Sequence, residues 1–151
     1  MKLPQAPLGK LVFLSDTDTT VGFLSQDTSR LDRIKGRPGH KRYIHALDSL
    51  HTLRRLGRVP AKHRRLVRRR KRTTFILPNG NSFRLIRDPR HLLLLARLGG
   101  WAYTTSANRA GAPYDENFAR QNADVVVEPL GTPAPPSPIL RLGKERIRRI
   151  R

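Results

Sequence analysis

The sequence predicts an α/β fold: a single domain in which a mixed open sheet carries flanking helices. Three observations predict it. Segments with strand-like patterning alternate with segments of helical patterning along the chain. Asn79-Gly80 stands between two runs rich in β-branched and aromatic residues, the strongest local signal for an antiparallel hairpin. The 151 residues make one ordinary domain, long enough to bury about 68–70% of the surface of the unfolded chain. No internal repeat divides them, so residues 1–151 are read as one unit with a basic segment at 54–72 and a basic tail at 141–151.

Each element has a local reason. Lys10 to Leu14 reads as a short strand, followed by a Thr-rich turn over Ser15 to Thr20 and a second extended piece at Val21 to Phe23. Asp27 or Thr28 caps a helix over Ser29 to Lys35, which Gly36 and Pro38 end. Arg42 to Ala46 alternates as a strand. Asp48 caps a helix over Ser49 to Leu56 that stops at Gly57, and Pro60 opens another reaching about Arg70. Thr73 to Leu77 and Ser82 to Ile86 form the hairpin. Asp88-Pro89 starts a helix through Leu98 that closes at Gly99-Gly100, and Trp101 to Thr105 is the next strand. Tyr114 to Gln121 is read as helix, Asp124 to Glu128 as a buried strand, and Pro129 to Pro138 as a Pro-rich loop. Ile139 to Ile150 is read as an edge strand with its charges outward.

Composition narrows the function classes. Hydrophobic residues are 37% of the chain, too many for a purely disordered basic tail, so the charge rides on a folded scaffold. Cysteine is absent, which excludes disulfides, Cys-ligated metal centres and thiol nucleophiles. Met1 to Phe23 lacks the pattern of a signal peptide, and the longest apolar run, Leu92 to Ala96, is far short of the ~20 residues of a membrane span. A soluble cytoplasmic protein without membrane partners is expected. Lys and Arg number 31 against 11 Asp and Glu, a net charge of +20 that calls for a polyanion, with nucleic acid foremost.

The charge is densest from Arg54 to Arg72, where no acidic residue occurs. An ordinary helix surface would interleave opposite charges. Leu56, Val59, Leu66 and Val67 give the segment an apolar edge for docking. Arg64, Arg65, Arg68, Arg69, Arg70, Lys71 and Arg72 are therefore read as an RNA-contacting surface, one that positions phosphates without reading bases. The five histidines show no metal-binding spacing, and neither a Walker A nor a GxGxxG loop is present. Asp16 and Asp18 read as local caps of their turn, with a paired-carboxylate site as the sharper alternative.

Three short segments suit a triphosphate or carboxylate ligand. Thr17-Asp18-Thr19 with Gly22 is a polar turn after a strand. In Lys35-Gly36-Arg37-Pro38 two cations flank a glycine, so both can converge on one anion. Thr104 to Asn108 brings hydroxyl and amide groups to the carboxyl end of a strand, where open α/β sheets place ligands. Taken singly, each has an ordinary structural reading as a turn or helix stop.

Taken together in this order, they resemble the YrdC/YciO family, whose enzymatic members are threonylcarbamoyl-AMP synthases. Asp16 to Phe23 is similar to the family's P-T-D-T-x-Y-G-L motif, Lys35 to Pro38 to its K-G-R-P motif, and Thr105 to Gly111 to its T-S-A-N-x-S-G motif. Phe83-Arg84 resembles its Val-x-Val-Arg strand, and Ser137 before Ile139 its late serine. The resemblance covers the chain from about residue 11 and implies a twisted, YrdC-like sheet with a positively charged concave site and a shortened amino-terminal region. It implies an enzyme, a nucleotidyltransferase that forms threonylcarbamoyl-AMP and pyrophosphate from ATP, L-threonine and bicarbonate. The product would serve threonylcarbamoyladenosine modification of tRNA through a threonylcarbamoyl-transferase machinery. Carried over by position, Lys35, Arg37, Ser106 and Asn108 would be the catalytic tetrad. Thr17, Thr19, Thr74, Arg84, Thr105 and Ser137 would bind substrate or nucleotide. Mg²⁺ is expected on the triphosphate, with no protein-ligated metal.

The chain departs from the family pattern at Asp16 and Val21, where proline and an aromatic are usual, at Arg42 for a proline, and at Arg70-Lys71-Arg72 for a P-G-P segment. The competing class is a non-catalytic module of the same fold that binds double-stranded RNA, tRNA or the ribosome by shape and phosphate contacts. A ribosome-associated structural protein is the third option.

Overall fold

Helix caps and one hairpin set the frame of the computed structural model, which describes residues 3–36, 42–131 and 134–151. The first helix, α1 (Thr28–Lys35), starts where the Asp27 carboxylate accepts from the Ser29 N–H and ends at Gly36, whose φ of 67° is the left-handed conformation glycine tolerates. Ser49 caps α2 (Leu50–Leu53). A 3₁₀ turn at Ala61–His63 leads into α3 (Arg64–Arg69). Asp88 caps α4 (Pro89–Arg97), with Pro89 in the first turn where no N–H is needed. Asp115 accepts from the Asn117 and Phe118 N–H groups to start α5 (Glu116–Asn122).

Nine strands among the described residues form one sheet in the order β7-β1-β2-β6-β3-β5-β4-β8-β9. They are β1 (Phe13–Asp16), β2 (Val21–Ser25), β3 (Ile44–Leu47), β4 (Thr74–Ile76), β5 (Ser82–Leu85), β6 (Trp101–Ser106), β7 (Val125–Val126), β8 (Ile139–Leu142) and β9 (Ile147–Arg149). Parallel pairing of β3 with β5, β4 with β8 and β1 with β7 makes the sheet mixed. This is the α/β open sheet with flanking helices that the sequence predicts.

The register decides what each face carries. Successive side chains alternate across a strand, so Leu14, Phe23, Leu47, Phe75 and Phe83 point to one face. There they pack with Leu31 of α1, Leu53 of α2, Val67 of α3 and Ala119 of α5 in two apolar clusters. Phe13, Leu24, Ala46 and Ala102 point to the other face and meet Leu95 and Leu98. Those two leucines are fully buried, each worth about 1.5–3 kcal/mol. Four helices thus cover one face, whereas α4 alone covers part of the other. Gly22, Thr104, Ser106, Ile44, Arg84 and Thr74 share the parity of the α4 face by their pairings.

Several predicted elements differ in extent. The helix expected over Ser49 to Leu56 ends at Leu53, and i→i−3 turns follow it. The Asn79 and Asn81 amides each donate to the Leu56 carbonyl at 2.8 Å, which ties that turn to the β4–β5 hairpin. The first strand lies over Phe13–Asp16 rather than Lys10 to Leu14. The strand expected to be buried over Asp124 to Glu128 is the two-residue edge β7, at whose start the Asp124 carboxylate accepts from the Val12 N–H and Arg30. The single edge strand expected for the tail is a hairpin, closed by Gly143 N–H donating to the Arg146 carbonyl at 2.8 Å, with β8 inside the sheet and β9 at its edge.

Candidate functional site

The part of the α4 face that α4 leaves open is a cleft of about 190 Å³. Its lining includes Thr17, Thr19, Gly22, Arg42, Tyr43, Arg84, Thr105, Ser106, Ser137 and Arg151. Small polar residues at its floor hollow the surface. At Gly22 a Cβ would lie 3.0 Å from the Thr105 carbonyl oxygen and 3.1 Å from Thr17 Cγ2, so glycine lets the turn after β1 close on β6. That turn holds itself: the Thr17 hydroxyl donates to the Thr20 carbonyl and accepts from the Thr19 N–H at 3.2 Å.

Cations dominate the electrostatics. Arg84 Nε donates to Asp18 Oδ1 at 2.9 Å, with side chains 5% and 7% exposed. Arg84 Nη1 also donates to the Thr74 and Ser137 hydroxyls at 3.3 Å each, and those hydroxyls lie 2.7 Å apart. Arg151 Nε and Nη2 donate to the Ser137 carbonyl at 3.0 and 2.8 Å. Burial, and second the Arg84 charge, pull the Arg151 guanidinium below its ordinary value. Two guanidiniums close enough to repel one another beside a polar hollow suit an anionic ligand that would replace repulsion with bidentate contacts.

Lys35, at the end of α1, is buried, and its ammonium donates to the carbonyls of Ser106 and Asn108 at 2.9 and 2.6 Å and to Asn108 Oδ1 at 3.5 Å. The Asn108 amide in turn donates to the Arg109 and Ala112 carbonyls at 2.7 and 2.8 Å, which fixes the loop after β6. The end of α1 is thereby fastened to the strand end that borders the cleft.

Searches against family models and against curated proteins find no match. Solved structures do match. A P. abyssi Sua5 complexed with L-threonine superposes with a TM-score of 0.78 at 18% identity, covering 94% of this chain and 50% of that one. E. coli YciO gives 0.76 at 17% identity over 94% of this chain and 82% of that one. The solution structure of the Methanobacterium thermoautotrophicum protein MTH1692 gives 0.69 at 22% over 100% and 88%. The chain has the YrdC-like fold. It spans about half the length of the Sua5 protein it matches.

On this YrdC-like sheet, three members of the expected tetrad, Lys35, Ser106 and Asn108, come together, while Arg37 lies outside the described residues. Thr17, Thr19, Arg84, Thr105 and Ser137 line the cleft, and Thr74 reaches it through its bonds to Arg84 and Ser137. Arg64, Arg65, Arg68, Arg69, Arg70, Lys71 and Arg72 are all exposed. Of the cations from Arg54 to Arg72, Lys62 alone pairs with a carboxylate among the described residues, Glu145 at 3.3 Å. No cluster of metal-ligating side chains occurs among the described residues, and no described helix is long and apolar enough to cross a membrane.

Two departures acquire physical roles. The Asp16 carboxylate accepts from the Gly131 N–H at 2.8 Å and pins the Pro-rich loop, so it is no local cap. Val21 is buried among the apolar residues of the helix-covered face and does not line the cleft. Sequence reasoning missed Arg151 as a cleft residue, and it noted Arg42 only as a departure. Neither belongs to a motif: Arg42 stands just before β3 and Arg151 just after β9, and long-range strand pairing carries both to the cleft.

Proposed function

We propose that this chain is a divergent threonylcarbamoyl-AMP synthase. The observation that carries the reading is the Lys35 ammonium held at 2.9 and 2.6 Å on the Ser106 and Asn108 carbonyls beside a cleft lined by Arg84, Arg151 and five threonines. Supporting it is the likeness in fold to a Sua5 crystallised with L-threonine. In the proposed reaction the threonine amine and bicarbonate condense to a carbamate with loss of water. A carbamate oxygen then attacks the α-phosphorus of ATP, the bond to the β-bridging oxygen breaks, and pyrophosphate leaves.

The residues supply position and charge, the main levers in phosphoryl-type transfer. Thr17 orients the threonine, Ser106 and Asn108 fix the geometry at the reacting end, and Lys35 with Arg37 offsets charge growing on the phosphorus oxygens. Arg84, Arg151 and Ser137 hold the departing phosphates. No Asp or Glu among the described residues lines the cleft, and Asp16 and Asp18 of the adjoining turn are engaged by Gly131 and Arg84, so the Mg²⁺ that accompanies ATP would be carried by the phosphates, whose charge it would lower. The product would pass, in the cytoplasm, to the machinery that modifies tRNA adenosine. The test is threonine-dependent pyrophosphate release from ATP in bicarbonate. Release absent in Lys35→Ala is expected, and wild-type release no greater than that of the folded variant overturns the reading.

A second reading, RNA binding with or without catalysis, is favoured by the exposed and largely unpaired cations from Arg54 to Arg72. It predicts RNA affinity that falls steeply with salt, and affinity indifferent to salt would refute it.

A further inference from the structure

The basic segment is not a flat charged surface. Between α2 and α3 it folds around a groove of about 590 Å³, within the ~300–1,000 Å³ of ligand-sized pockets. Leu50, Leu53, Val59 and Val67 form its floor, and Arg54, Arg58, Arg64 and Arg68 stand around it. All four arginines are exposed, and none forms an ion pair among the described residues. The groove shares no lining residue with the cleft. It belongs to the face that carries Leu53 and Val67, opposite the one that carries Arg84.

We infer that this groove clamps single-stranded RNA: unstacked bases lie on the apolar floor among the guanidiniums, and the flanking phosphates meet the same arginines. The inference rests on the RNA-binding reading. Charge complementarity selects the occupant. Four exposed cations without a carboxylate partner among the described residues suit a polyanion whose charges recur at close spacing, because it releases their counterions together. The apolar part is too small to reward an amphipathic helix, because Leu53, Val59 and Val67 are 3%, 9% and 1% exposed and only Leu50, at 37%, offers much surface. A flat base needs no more than that, and guanidinium planes stack on bases. A duplex keeps its bases stacked inside and could use the rim alone. The groove therefore favours loops and single strands over double-stranded RNA.

The experiment measures binding of a labelled oligouridylate, an abasic chain of equal length and an RNA duplex across a salt series, with polyglutamate as competitor. Oligouridylate should bind about fivefold more tightly than the abasic chain, the upper end of one exposed guanidinium–ring contact. Replacing Arg54, Arg58, Arg64 and Arg68 together by Gln should flatten the salt slope for oligouridylate by about 3 and cost about 10²–10³-fold in affinity at ~0.1 M salt, from four contacts at ~0.7 each. The same change at Arg69, Arg70, Lys71 and Arg72, outside the groove, should cost less. Leu50→Ser should keep the slope and lose the preference over the abasic chain. Threonine-dependent pyrophosphate release should be unchanged in the groove variants, and circular dichroism reports their folding. Equal binding of abasic and uridine chains, equal loss in groove and off-groove variants, or displacement by polyglutamate at matched charge each overturns the clamp while RNA binding stands. Failure of every RNA to bind at low salt overturns RNA binding itself, and the clamp with it.

Discussion

Asp18→Asn tests how the cleft tolerates its own charge. Asp18 is the carboxylate that neutralises Arg84, at 2.9 Å and with both side chains less than a tenth exposed. Asparagine keeps the size and an acceptor oxygen but removes the charge. Losing one partner of a buried ion pair costs about 3–5 kcal/mol. The retained amide oxygen and the Thr74 and Ser137 hydroxyls, each 3.3 Å from Arg84, reduce that to about 2–3 kcal/mol. In a chain of this size 1 kcal/mol moves Tm by about 2–4 °C, so a fall of roughly 4–12 °C is expected. The variant also removes from Arg84 its one carboxylate partner among the described residues, and an anion in the cleft should take the place of the carboxylate. Pyrophosphate at about 100 times its Kd returns ~2.7 kcal/mol, which is most of the loss. The assay is thermal unfolding followed by circular dichroism, with and without pyrophosphate, in both proteins. A variant melting within about a degree of wild type would show that Asp18 does not hold Arg84. A variant that melts low, but gains no more from pyrophosphate than wild type does, would refute the assignment of the cleft to phosphates.

Other predictions address the turn and the covered part of the same face. Gly22→Ala sets a Cβ 3.0 Å from the Thr105 carbonyl oxygen and 3.1 Å from Thr17 Cγ2. It should cost about 1–3 kcal/mol in urea denaturation and raise KM for threonine more than it lowers kcat, and an unchanged KM would separate the turn from the substrate. His91 is fully buried with neither ring nitrogen partnered among the described residues, and burial, then the Arg84 charge, pushes it down to about 3. Between that value and the unfolded ~6.5 the unfolded chain binds a proton that the fold refuses. Stability present above about pH 6.5 is therefore lost as pH falls, at about 1.4 kcal/mol per pH unit. His91→Leu should abolish that slope and raise Tm at about pH 5 by removing two unsatisfied nitrogens; parallel pH profiles would assign the acid loss to other groups.

What the sequence made legible follows from the range of each interaction. Caps and turns are written in neighbouring residues, so Asp27 with Gly36, Asp88 with Pro89, and the Asn79-Gly80 hairpin are found where the local pattern puts them. Lys35 with Ser106 and Asn108 could be proposed because short motifs carry them, although the bonds joining them span more than seventy residues. Asp16 and Asp18 misled for the converse reason. They stand in a Thr-rich turn that invites a local reading, yet they reach Gly131 and Arg84, 115 and 66 positions away. Arg151 is invisible for the same cause, since only the β8–β9 return brings it to Ser137.

Which face of the sheet carries the cleft could not be read from the sequence pattern, because each amphipathic helix announces that it buries a face and none announces which face of the sheet it covers. Four helices cover one side and α4 only part of the other. That imbalance leaves Gly22, Ser106, Arg84 and Ser137 lining a cleft that no helix fills. Had α2 and α3 packed beside α4, their arginines would crowd the Arg84 end of the cleft, and one basic surface would serve both roles. With the sheet between them, the charge of +20 separates into a small set lining a polar cleft and a larger set around a groove on the opposite face. A ligand can then be held at one without competing for the other.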